Sequence, residues 1–374
     1  MNLLAADSPL AAATGYVVVA IFGGSVIVWA AILFRVAHGI PLIRHEPRRH
    51  VPWNGGDVLV LVFAYFCITI VVMTIFQHFD PAKDKGAKAQ SHAVSGDAYD
   101  HLVIANVNDD EKRGHPLMPL FNSHNGALIA LGIILAVIKA PLIEEFFFRV
   151  ILQGWLESAW IRSRRIVESP KDLPISDYIV WWRQHRIGRF IPFLMSALFA
   201  VVRLCVISIF RWLHRSRIGR PLPVLLSTIC FAMLHFRVGR EPAAPTQVAS
   251  AFLAQSVAEA IWLALALFVL IGVRGATARD LGWSLRRTGY DLSLGITAML
   301  AVIPPVLFFN FLLETTLRRY SIPVSGDPVP IFFLALALGT LYRRTHRMTP
   351  SLVLHMGLNG SSVLLFYLQS AIGP

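Results

Sequence analysis

Charge is scarce in this chain. Asp, Glu, Lys and Arg together make up 15% of 374 residues, and 55% are hydrophobic, with a mean hydropathy of +0.60. A soluble globular domain carries roughly 25% charged residues, so that class is excluded. Acidic residues are the rarer sign, 22 against 34 Lys and Arg, for a formal net charge of +12. Such an excess is also found in nucleic-acid binders, but here the arginines cluster between apolar runs. Basic loops flanking membrane spans produce this pattern through the positive-inside rule and anionic headgroups. No nucleic-acid partner is expected; the lipid bilayer is. Cysteine is nearly absent, and Cys67, Cys205 and Cys230 all fall in apolar runs, where a single cysteine behaves as a small hydrophobe. No CxxC, no Cys/His cluster and no HExxH occurs. The N-terminus lacks the basic n-region of a signal peptide, so the first apolar run is expected to stay in the protein as a span.

Several runs reach the roughly 20 apolar residues needed to cross a bilayer. The expected fold is all-α, a polytopic transmembrane bundle of about eight or nine helices. Spans are placed at 16–34, 58–76, 248–273, 292–313, 329–342 and 352–368, with Pro304-Pro305 kinking the fourth. The basic linkers after the first span and between the last two, with Arg343, Arg344 and Arg347, are expected in the cytoplasm. The polar stretch 78–124 reads as an exposed loop. The basic stretch 162–189, with Trp181 and Trp182, reads as an interfacial segment. The topology of 190–220 stays open, because basic loops lie on both sides of an apolar run. Two parts are expected: 1–124, with the first helices and the polar loop, and a core over 125–374.

Within that core, Glu144-Glu145-Phe146-Phe147-Phe148-Arg149 places two carboxylates and an arginine in an apolar run opened by Pro141. Charge at membrane depth is costly unless paired and is usually kept for a function. Glu145 and Arg149 are four apart and share a helical face, so they pair, while Glu144 points about 100° away and is left for another partner. The chain is expected to re-enter the membrane over 127–137, and a break at Pro141 to start a new helix bearing Glu144 that runs to about Trp160. Two further apolar runs carry polar residues at helical spacing, Phe231 with His235 and His355 with Asn359. Phe146, Phe147 and Phe148 read as packing, Arg203, Gln255 and Glu259 as helix-pairing groups, and Lys139 as snorkelling or pairing with a nearby acid.

In order, EExxxR, FxxxH and HxxxN resemble the CPBP family of intramembrane proteases, which includes CAAX prenyl endopeptidases and bacteriocin-processing or self-immunity proteins. Ser227 before Phe231, and the run 338–345 leading into Pro350-Ser351 and His355, agree with it. The resemblance covers about 125–160, 222–236 and 326–370. One departure is clear: two extra spans and the loop 278–283 lie between the histidine motifs, an unusual insertion at about 240–325. The resemblance implies cleavage of a peptide bond in a membrane-associated protein or peptide, in the cytoplasmic membrane of a bacterium. Glu144 and His235 would activate water, His355 and Asn359 would stabilise the oxyanion, and Glu145 with Arg149 would support Glu144. Glu144, His235 and His355 also make up a His₂Glu donor set for zinc; the metal-free mechanism is the expected one, with no cofactor. Intramembrane carboxylates and histidines also build proton relays, so a transporter or a non-catalytic scaffold retaining the fold is the alternative.

Overall fold

The computed structural model describes residues 9–47, 50–78, 125–168, 212, 219, 221–235, 245–319 and 328–372. Most of the 78–124 loop, the stretch 169–189 and nearly all of 190–220 lie outside them. Among the described residues the regular structure is helical. Eight helices follow in order: α1 (Pro9–Ala37), α2 (Gly55–His78), α3 (126–168), α4 (Leu222–Leu234), α5 (Pro245–Leu267, continued as a π-helix over Phe268–Val273), α6 (Thr288–Arg319), α7 (Pro328–Thr345) and α8 (Met348–Ile372). Five of them hold segments long and apolar enough to cross a membrane, at Gly15–Ala37, Gly55–His78, Gly126–Ser163, Ser250–Val273 and Thr288–Leu313. The protein is an integral membrane protein.

Local chemistry sets the helix starts. Asn54 accepts from the N–H groups of Gly56 and Asp57, and Asp57 accepts in return from the Asn54 N–H at 2.8 Å, a reciprocal cap on α2. Asn125 caps α3 by accepting from Ala127 and Leu128.

α3 differs from its expected form. It does not break at Pro141 but runs unbroken, with π-helical stretches at Leu135–Lys139 and Phe146–Gln153 on either side of Ala140–Glu145. The wider first stretch takes the proline into the helix: the Ala140 N–H reaches back five residues to the Leu135 carbonyl. α6 likewise runs through Pro304 and Pro305. Pro305 has no N–H for the Ala301 carbonyl four residues back, and Trp29 of α1 donates to that oxygen instead, at 3.1 Å.

α3 sits at the centre. On one side Ile143, Phe146, Val150 and Ile151 share a core with Trp53, Leu61, Trp262 and Leu270, contributed by the α1–α2 connection, α2 and α5. The indole N–H groups of Trp262 and Trp53 donate to the carbonyls of Leu61 and Ile151, at 2.9 and 3.1 Å. On the other side Phe148 packs with Phe231 of α4 and Ala335 of α7. The described part of the 240–325 segment, 245–319, is therefore built into the bundle, with α5 against α2 and α3 and α6 along α8.

The α6–α8 seam depends on small residues. A Cβ added at Gly295 would lie 2.6 Å from Val353 Cβ and 2.9 Å from the Pro350 carbonyl oxygen. Gly295→Ala is expected to cost about 1–3 kcal/mol through overpacking, seen as a lower melting temperature in detergent. An unchanged melting temperature would show that the seam is slack.

The connections after α1, α5 and α7 meet at one end of the bundle. Glu46 accepts from Arg287 and Arg347 at 2.8 Å each, and Arg347 also reaches Asp291 at 2.9 Å. Gly282, at φ +75°, offers its carbonyl to the Met348 N–H at the start of α8. Three basic connections on one face are what the charge pattern requires of loops on a common side.

Candidate active site

Adjacent on α3, the two glutamates point into different surroundings. Glu145 is fully buried; one carboxylate oxygen lies 3.2 Å from His355 Nδ1 and the other 3.4 Å from Arg149 Nε. The Glu145–Arg149 pair inferred from helical spacing is present. Arg149 is itself fully buried, donates from Nη1 to Ser227 Oγ at 3.2 Å, and lies over the Phe231 ring at 5.4 Å. Ser227 passes the chain on by donating to the Phe148 carbonyl at 2.9 Å.

Glu144 is a quarter exposed and sits between two imidazoles. His235 Nε2 lies 3.6 Å from Oε1, and His355 Nε2 lies 3.6 Å from Oε2. His235 is the residue that ends α4, and its ring is stacked on Phe231 at 4.5 Å. Its Nδ1 is 2.8 Å from the Phe231 carbonyl oxygen. A carbonyl can only accept, so Nδ1 carries a proton. Nε2 then faces the Glu144 carboxylate across the 3.6 Å contact. His355 bridges the two acids, with Nδ1 toward Glu145 and Nε2 toward Glu144. Phe231 keeps the imidazoles in place, stacking on His235 and meeting His355 edge-on at 5.8 Å. Side-chain exposure is 30% at His235 and 26% at Glu144, but 4% at His355 and 0% at Glu145, so the cluster opens along its Glu144–His235 edge.

Five of the six candidate residues, Glu144, Glu145, Arg149, His235 and His355, thus form one connected cluster. Asn359 is engaged elsewhere: one turn beyond His355, it donates from Nδ2 to the Ala136 carbonyl of α3 at 2.9 Å. Of the polar residues assigned to pairing, Lys139 and Glu259 join α3 to α5, while Gln255 is engaged within α5. Lys139 forms an ion pair with Glu259, which also accepts from Gln255 at 2.8 Å. Phe147 packs against Trp262 and Phe148 against Phe231.

One residue was missed by the motif reading. Gln153, fully buried, donates to the Gly339 carbonyl and to Glu157. Gly339 admits no side chain, since a Cβ there would meet Val224 at 2.8 Å and Gln153 at 3.1 Å. Gln153 lies four residues past Arg149, the one signal that would have placed it on the same face.

For zinc, among the described residues no group of three or more His, Cys, Asp and Glu side chains is placed to hold a metal ion. These features define a class: a helical membrane protein with a Glu–His–His cluster set within its bundle. No protein-family model, curated protein or solved structure matches the chain.

Proposed function

We propose that the protein is an intramembrane endopeptidase of the CPBP type, acting on a membrane-associated protein or peptide. The observation that carries this reading is the placing of Glu144 between His235 and His355, one imidazole to each oxygen. Glu144 takes a proton from water, and the resulting hydroxide adds to the scissile carbonyl. His355, its ring held by Glu145, donates an N–H to the oxyanion that forms. Collapse of the tetrahedral intermediate breaks the C–N bond, and the proton taken up by Glu144 passes by way of His235 to the leaving amine. The partly exposed Glu144–His235 edge supplies the approach for water and peptide. Arg149 neutralises Glu145 and, through Ser227 and Phe231, ties α3 to the helix that ends in His235. The sequence resemblance assigns the same tasks to Glu144, His235 and His355. We place the protein in a bacterial cytoplasmic membrane, with the Glu46–Arg347 end in the cytoplasm.

The test compares peptide termini in membranes of cells carrying wild type or His235→Ala at matched expression. Termini present only with wild type establish the peptidase and identify its substrates. Identical termini, with both proteins inserted and stable, overturn the reading in favour of a scaffold or transporter.

A further inference from the structure

We infer that Asn359 is a positioning residue: its amide closes a backbone gap that Pro141 opens in α3, and so sets His355 against Glu144 and Glu145. The gap follows from the π-helical stretch. Ala140 donates five residues back, to Leu135. In that pattern the next donor, residue 141, would serve the Ala136 carbonyl, but proline has no N–H. At membrane depth no bulk water is available to replace it, so the oxygen must find a donor inside the protein. Asn359 Nδ2 supplies one at 2.9 Å from α8. The two helices are also close at this level, where a Cβ on Gly360 would lie 3.5 Å from Val137.

Asn359 is one turn from His355 on the same face of α8. Anchoring it to Ala136 fixes the height of α8 against α3, and hence the distance of His355 from the two glutamates. A slip of one residue moves a helix by about 1.5 Å, enough to break contacts of 3.2 and 3.6 Å. The chain uses the same device a second time, at Pro305, Ala301 and Trp29. The structural part of this inference rests on α3 and α8 alone; only its effect on turnover rests on the peptidase reading.

The test is a double-mutant cycle on the purified full-length protein in detergent, with Pro141→Ala, Asn359→Ala and both together. Alanine in place of Pro141 restores an N–H for the Ala136 carbonyl. Asn359→Ala is expected to lower the melting temperature by at least about 2 °C when Pro141 is kept, and to leave it unchanged in the Pro141→Ala background. If Asn359→Ala alone fails to accumulate, recovery in the double variant carries the same meaning. The same drop in both backgrounds, no drop in either, or a double variant that also fails to accumulate overturns the inference. Turnover on a substrate identified from wild-type termini gives the second readout. A positioning residue predicts that the double variant turns over like Pro141→Ala alone. A double variant with restored melting temperature and turnover still lost assigns Asn359 a direct catalytic role and overturns the positioning one. If no variant, wild type included, cleaves anything, the peptidase reading fails while the melting temperatures still decide the inference.

Discussion

Glu144→Gln is expected to reduce turnover by about three orders of magnitude while leaving the protein folded. Glutamine keeps the shape of the side chain but cannot take a proton from water, and losing a positioned general base typically costs about 10²–10⁴-fold. The fold is spared because nothing buried is stranded. His235 keeps its bond to the Phe231 carbonyl, His355 keeps Glu145, and the side chain at 144 remains partly exposed. Raising the pH should not restore the rate, since the missing group is the base itself. Turnover within tenfold of wild type, in a protein with an unchanged melting temperature, would remove Glu144 from the chemistry.

Arg149→Ala should have the opposite signature, with the loss appearing in folded protein before it appears in catalysis. Arg149 and Glu145 are both fully buried. Removing one partner of such a pair leaves an uncompensated charge, at a cost of about 3–5 kcal/mol. The same substitution removes the donor to Ser227 and the guanidinium over Phe231, and so loosens α4 from α3. Little folded protein should reach the membrane. Pairing Arg149→Met with Glu145→Gln should recover much of the loss, because an amide oxygen at 145 still accepts from His355 and no charge is left buried. Normal accumulation of the Arg149→Ala variant with full turnover would show that the pair supports nothing.

These two glutamates are neighbours in sequence, and helical spacing alone separates them. The four-residue interval to Arg149 commits Glu145, and the turn of about 100° frees Glu144. The partners of Glu144 were legible only as motifs, since His235 and His355 lie on helices whose order in the bundle no local pattern supplies. The role of Glu145 went further than its spacing indicated. Besides Arg149 it holds His355 of α8, a contact across 210 positions of chain. Pro141 was misread for a related reason. Taken alone it signals a break, but the donor that satisfies the carbonyl it leaves open is Asn359, 223 positions away from that carbonyl. The helices within the 240–325 segment, which looks unusual when motifs are read in order, pack into the bundle. α5 and α6 fill the sides of the bundle next to α2 and α8.

By itself, the sequence determined the solvent, the helices and the side on which the basic loops gather. Each of these follows from sums over neighbouring residues, such as apolar run length and charge excess. It also determined which face of each helix carries its polar groups, because the helical period is local. Tertiary structure alone decided which polar groups meet. Hydrogen bonds and ion pairs are directional and end within about 4 Å, so pairing Glu145 with His355, or Asn359 with Ala136, depends on the heights at which separate helices pack. That register is set by contacts such as Gly295 against Val353 and Phe231 against Phe148, which become neighbours only when the bundle closes.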